Sequence, residues 1–396
     1  MLLKRLVFFL AVVASAQFDV TEASISQIHS AMKAGTLSCR ALVGMYKRRI
    51  DAYDKNGPAL NSIVVVNEKI EAEAAELDRK FATGGLSGPL HCIPMIVKDN
   101  FLTAGLQSAN GSLAFAGFVS DKDAFQVRRV KAAGALVMAK SNMAEFAFSP
   151  VETISSILPG YTRNPYALDR VTAGSSGGTA ASVAASFGAV GLGSDTGNSI
   201  RGPSSHQALV GIRSTMGLTS RAGVFPLNLL ADIAGPMART MEDAVAVFQV
   251  VAGEDPDDAV TAAARVENYS LALKRDGLKG ARIGVLRQAY ERDSADPEVV
   301  RVFEAALEDL RKAGAVIVDP AKVTGIEGLK RAGGCMGFKY DLNRFLAGLG
   351  DKVAVKSLAE VLKSRKYHPS VQVRLEAAEK AVGNGPESAE CAAEMA

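Results

Sequence analysis

The 396-residue chain has no tryptophan, four histidines and four cysteines. The shortage of histidine matters most. His29, His91, His206 and His368 are scattered, and none sits in an obvious general-base motif. The cysteines, Cys39, Cys92, Cys335 and Cys391, are widely spaced with no C-x-x-C, so the usual zinc patterns are excluded and no metal is expected. Four cysteines allow three pairings, the spacing selects none of them, and buried free thiols are the expectation. Neither sign of charge is in excess: 45 Lys and Arg face 42 Asp and Glu, a formal +3, which gives no electrostatic case for nucleic acid. No stretch is long and apolar enough to span a bilayer, so stable membrane insertion is not expected. There is no fixed-period repeat, no linker rich enough to divide the chain, and no P-loop.

What is present is ordinary globular material, 48% hydrophobic and 22% charged. At the N-terminus Lys4 and Arg5 precede an apolar run over residues 6–13, followed by Ala14-Ser15-Ala16. This is the pattern of a secretory signal peptide over residues 1–16, and it implies a secreted or periplasmic protein. A buried first helix is the weaker alternative. The remainder, 17–396, reads as one domain in which helix, glycine and strand alternate. Ser38 can cap a helix carrying Leu42, Met45, Tyr46 and Ile50 on one face, and SIVVVN at 62–67 reads as a strand. Helical residues 123–133 lead through Gly134 to ALVMAK, and a small-residue helix after Ser176 leads through Gly188 to AVGLGSD. Val299, Phe303, Leu307 and Leu310 share a face before Gly314 and AVIVD, and Thr240 to Asp243 opens another helix. The alternation predicts an α/β fold around one large sheet.

Three motifs carry chemistry. IPMIVKD, residues 93–99, delivers Lys98 at the end of an apolar strand, with Asp99 pointing to the opposite face. AGSSGGTAA, residues 173–181, places Ser175 and Ser176 where a helix begins. SDTGNSIRGP, residues 194–203, is poor helix and poor strand material around one hydroxyl, Ser199. Taken separately, these are a solvated strand end, a helix cap and a polar loop. Together they supply a nucleophile and a base. Neutral Lys98 would deprotonate Ser175, which would deprotonate Ser199. This requires burial to lower the lysine from its free value near ~10.4. His206, seven residues after Ser199, is the rival base, but no acid partner is evident for it. The backbone N–H groups of Thr196, Gly197, Asn198 and Ser199 could form an oxyanion hole. Asp195 and Arg201 would fix the loop as a charge pair, with Ser176 alongside. Nothing in this set calls for a cofactor.

These residues resemble the amidase signature family. The matching segments are IPMIVKDN, AGALVMAKSNMAEFA, AGSSGGTAA through SDTGNSIRGPSS, GIRSTMGLTSRAG and AGPMARTMEDA. The resemblance implies a Ser–cis-Ser–Lys set of Ser199, Ser175 and Lys98, with a cis peptide before Ser175 and oxyanion amides at residues 196–199. It implies a single α/β/α domain around a large mixed, mostly parallel sheet. Its expected activity is hydrolysis of a small-molecule amide through a Ser199 acyl-enzyme, without a cofactor. Family members commonly carry Gly-Gly before the paired serines and Gly before Ser199. This chain has Ala173-Gly174 and Asn198, and Asn tolerates positive φ next best. Asn198 could narrow the acyl pocket or donate to substrate. Cys92 stands where many members have Gly and is expected to pack against the lysine strand. Members usually continue past this length, so the resemblance also implies a domain lacking its C-terminal strands. Two rival functions follow: a truncated, inactive relative that binds small molecules, and amidotransferase work on transfer RNA, against which the signal peptide argues.

Overall fold

The computed structural model describes residues 18–325, 328, 337–381 and 389. The expected signal peptide, Cys335 and Cys391 lie outside the described residues. The helices are α1 (Ile25–Lys33), α2 (Cys39–Tyr53), α3 (Ile70–Gly84), α4 (Phe125–Ala132), α5 (Gly177–Ala184), α6 (Arg201–His206), α7 (Met241–Val251), α8 (Pro297–Lys312), α9 (Phe338–Leu349), α10 (Leu358–Ser364) and α11 (Gln372–Lys380). The strands are β1 (Ile63–Val66), β2 (Pro94–Lys98), β3 (Leu136–Ser141), β4 (Arg163–Asn164), β5 (Ala167–Val171), β6 (Val190–Asp195), β7 (Val210–Gly211), β8 (Ile233–Ala238), β9 (Arg282–Gly284) and β10 (Val316–Val318).

Every residue of β2, β3, β6 and β8 is buried. Strands covered on both faces favour apolar or small side chains, so their sequences run without polar alternation, and the buried charges Lys98, Lys140 and Asp195 fall at or near the strand ends. They form the centre of a six-stranded sheet of order β1-β3-β2-β6-β8-β7. The pairs β2–β3 and β2–β6 are parallel, while β1–β3, β6–β8 and β7–β8 are antiparallel. Strands β2, β3, β6 and β7 therefore share one direction, and β1 and β8 oppose them. The sheet is mixed, as the resemblance implies, with two parallel and three antiparallel neighbouring pairs. Helix α5 packs along β2 and β6 and reaches β3 and β8, and α4 and α7 pack on each other and on β3 and β8. Local chemistry sets the helix starts: Ser38 accepts from the Ala41 amide to open α2, and Thr240 accepts from the Asp243 amide to open α7.

The later part of the chain departs from a single large sheet. Strands β9 and β10 form their own parallel pair, connected through α8. Of the α8 face expected to be buried, only Leu307 is; Val299 and Phe303 are 66% and 40% exposed. Helical periodicity marks an apolar face, but it does not say what covers that face.

The cysteines also depart from expectation. Cys39 and Cys92 form a disulfide, with Cα atoms 5.6 Å apart and both side chains fully buried. Cys39 is the first residue of α2, and Cys92 lies at φ 59° in the turn that leads into β2. The bond thus ties a helix start to the approach of the lysine strand across 53 residues of chain. Such closure mainly restricts the unfolded chain. The double variant Cys39→Ala/Cys92→Ala is expected to lose about 2–4 kcal/mol of unfolding free energy in urea titration. An unchanged midpoint would show that the crosslink does not contribute to stability.

Candidate active site

The apolar strand β2 ends on Lys98, whose side chain is fully buried. Its Nζ lies 2.8 Å from Ser175 Oγ, 2.9 Å from Ser194 Oγ and 3.3 Å from Ser194 O. Asn100 Nδ2 donates to the same Ser194 hydroxyl at 2.9 Å. Burial lowers the Lys98 amine to about 7, against the opposing pull of Asp195 and Asp232. A neutral amine has two N–H groups and one lone pair. With the N–H groups directed to Ser194 O and Oγ, the lone pair faces Ser175. Ser194 Oγ can accept from both Asn100 and Lys98 with its two lone pairs. Asp99 points the other way, as strand alternation requires, and accepts from the Ala109 and Gly111 amides.

The peptide bond between Gly174 and Ser175 is cis. Hydrogen bonds hold the chain on both sides of it. Thr153 and Thr172 hydroxyls donate to Ala173 O, the Gly174 amide donates to Pro150 O at 3.0 Å, and the Ala144 amide donates to Ser175 O at 3.1 Å. Ala173 takes φ 55°. Gly174 has no room for a side chain, since a Cβ there would meet Ser149 O and come within 2.6 Å of Glu152 O. Ser176 Oγ donates to Ser194 O at 3.1 Å, and its amide donates to Ser199 O at 3.3 Å.

Ser199 itself is 6% exposed. It joins the cluster through that backbone bond. The Ser175–Ser199 hydroxyl contact expected from a proton relay is not among the hydrogen bonds of the described residues, where Ser199 Oγ has no partner. Catalytic hydrogen bonds are often loose before substrate binds. The Gly197, Asn198 and Ser199 amides likewise have no acceptor among the described residues. Neither Gly197 nor Asn198 adopts positive φ, so the loop does not draw on the tolerance of Asn for left-handed backbone. The Asn198 Nδ2 donates to Pro150 O at 3.4 Å, and its side chain fills the space where a Cβ on Gly202 would lie.

Asp195 and Arg201 form the expected pair at 3.2 Å, but only the carboxylate is buried; the Arg201 side chain is 51% exposed. Asp195 also accepts from the Ile200 and Arg201 amides and pairs with Arg213 at 3.2 Å. Burial alone would raise this carboxyl, but the hydrogen bond from Arg201 and the two amides outweigh it and hold the pKa below the usual range. Arg201 closes the loop by donating to Gly197 O at 2.5 Å. His206, the rival base, is an exposed residue at the end of α6. Ser194, Asn100, Arg213 and Asp232 escape sequence reasoning. The last of these accepts from Thr196 Oγ1 at 2.5 Å. Only strand register could point to Ser194: β6 runs parallel beside β2, with Val97 opposite Leu192, so its end lies beside Lys98.

A cavity of about 10 Å³ opens against Asn100, Ser194, Thr196 and Asp232, with Val224 and Phe225 as apolar walls. A recess of about 890 Å³ shares Arg221, Val224 and Leu229 with it. Among the described residues no group of three or more His, Cys, Asp or Glu is placed to hold a metal ion.

A buried lysine against a cis-peptide serine, beside a loop of free amides on a mixed sheet, defines a serine–lysine site in an α/β domain. The profile of the family described as Amidase matches residues 41–395, and the chain belongs to that family. It is 36% identical over 301 residues to the A subunit of the glutamyl-tRNA(Gln) amidotransferase of Bdellovibrio bacteriovorus, covering 76% of this chain and 60% of the relative. Among solved structures it resembles the peptide amidase PAM bound to the competitive inhibitor chymostatin, at 33% identity and TM-score 0.86, covering 95% of this chain and 79% of that one. The native peptide amidase of Stenotrophomonas maltophilia gives 34% identity and TM-score 0.85, with 94% and 78% covered. The chain thus spans about 60% of the length of the curated relatives it matches.

The Gly174→Ala variant is expected to lose the site, because its Cβ displaces the chain beside Ser175. The check is a crystal structure with thermal melting. A folded variant with Ser175 still against Lys98 would show that the close approach is dispensable.

Proposed function

We propose that the chain is an amidase that hydrolyses the carbon–nitrogen bond of a linear small-molecule amide, with Ser199 as nucleophile, Ser175 as proton relay and Lys98 as base. The observation that carries this reading is Lys98: fully buried, lowered to about 7, and 2.8 Å from a serine hydroxyl. Ser199 Oγ attacks the carbonyl carbon as its proton passes to Ser175 and the Ser175 proton passes to Lys98. The carbonyl oxygen becomes an oxyanion facing the Gly197, Asn198 and Ser199 amides. The C–N bond breaks, the departing nitrogen takes the proton back through Ser175, and water releases the acid. Likeness to the peptide amidases makes small peptide amides the first substrates to try, with the larger recess as room for the rest of the molecule. The buried Cys39–Cys92 disulfide agrees with an oxidising compartment, and so supports a secreted or periplasmic location and weighs against amidotransferase work in the cytosol.

The test is intact mass and peptide mapping after fluorophosphonate treatment, with a panel of linear amides assayed alongside. One adduct on Ser199 is expected, together with release of ammonia or amine from some of the panel. Lys98→Ala and Ser199→Ala should each abolish both signals. Labelling elsewhere, or wild-type rates in either variant, would overturn the mechanism.

A further inference from the structure

Asp232 lies at the end of the turn leading into β8 and is 9% exposed. One oxygen, Oδ1, accepts from Thr196 Oγ1 at 2.5 Å. The other accepts from the Leu227 and Asn228 amides at 2.8 and 2.9 Å. A single carboxylate therefore joins the first residue of the loop at 196–199 to the 227–232 turn, and Leu227 and Leu229 of that turn line the small cavity. The turn is held a second time from α9, where buried Asp341 accepts from the Leu229 amide at 2.9 Å.

We propose that Asp232 is a positioning residue for the reaction: it sets the oxyanion loop through Thr196 and stands as counter-charge to Lys98 when the lysine takes up the serine proton. The inference rests on the proposed amidase mechanism. Asp232 does not touch the reacting atoms; it acts through Thr196 and through its field. All three donors to it are neutral N–H or O–H groups, the arrangement an ionised carboxylate prefers. The charged groups around it are Lys98 at the end of β2, Arg221, and Asp341 on α9, with Asp195 at the end of β6 acting on the same lysine. Burial raises the Asp232 carboxyl, opposed by the Thr196 hydroxyl, the two amides and Lys98. Burial, and then Asp232, raise Asp341 to about 6 against the Leu229 hydrogen bond. Lys98 also loses a stabilising charge if Asp232 is neutralised, because Asp232 is one of the two carboxylates that favour its ammonium form.

The experiment is the second-order rate of fluorophosphonate labelling at Ser199 as a function of pH, for wild type, Asp232→Asn, Thr196→Val and the double variant, with thermal melts of each. In Asp232→Asn the plateau rate should fall roughly ten- to a hundredfold, and the acid limb should move to lower pH. Thr196→Val should lower the plateau without moving the limb. The double variant should be no slower than Asp232→Asn, since one clasp is being removed twice. A plateau within about twofold of wild type in Asp232→Asn, or an unmoved limb, would overturn the proposal. Additive losses in the double variant would overturn it as well. If Asp232→Asn melts early, Thr196→Val breaks the same clasp from the other side, and a wild-type rate there is equally fatal. Wild type that labels slowly or elsewhere removes the amidase mechanism, and this inference with it. Wild type that labels at Ser199 while the variants match it removes this inference alone.

Discussion

The whole site depends on burying one amine without giving it a close carboxylate. An unpaired ammonium in the interior is costly, and a lysine so placed relieves the cost by releasing its proton. Here the nearest partners of Lys98 are two serines, and Asp195 and Asp232 act on it only through their fields. The amine is poised near neutrality as a result. A direct salt bridge would stabilise the ammonium and destroy the base. The apolar residues of β2, the cover of α5 and the parallel neighbour β6 all serve that isolation. Ser194 and Asn100 then turn the lone pair toward Ser175 rather than leave it free.

The loop around Ser199 is built on the opposite principle. It is not apolar, and buried carboxylates hold its shape. Asp195 gathers two amides and two arginines, and Asp232 gathers a hydroxyl and two more amides. Each carboxylate consumes donors that would otherwise compete within the loop, while the Gly197 to Ser199 amides stay uncommitted. Charge-assisted bonds of this kind are strong and directional, which suits a loop that must keep its shape without regular secondary structure. The Ser176 amide then ties the Ser199 segment to the cis-serine segment through Ser199 O, so Lys98, Ser175 and Ser199 share one framework.

Much of this is legible in the amino-acid order. The strands with continuous apolar or small residues, the caps at Ser38 and Thr240, and the meeting of Lys98 with Ser175 all follow from local chemistry and from resemblance. What escapes is long-range. Cys39 and Cys92 are 53 residues apart, and Thr196 and Asp232 are 36 apart, so no spacing rule marks either pair. Asn198 reads in the sequence as a residue chosen for backbone freedom or for substrate. Its contacts with Gly202 and Pro150 are set by neighbours the sequence does not order in space. The exposed face of α8 is the converse case, since its pattern is plain in the sequence while its exposure is not.

The proposed mechanism requires Lys98 to be a neutral amine near neutral pH. The most direct measurement is an NMR titration of the lysine side-chain carbon next to Nζ, in protein labelled at lysine and assigned with Lys98→Ala. Lys98 is expected to titrate near 7, and the Lys98→Ala spectrum separates it from buried Lys140, which burial lowers to about 8. A Lys98 signal that stays charged up to about 10 would contradict this, because the buried amine would then hold its proton when Ser175 needs to give one up.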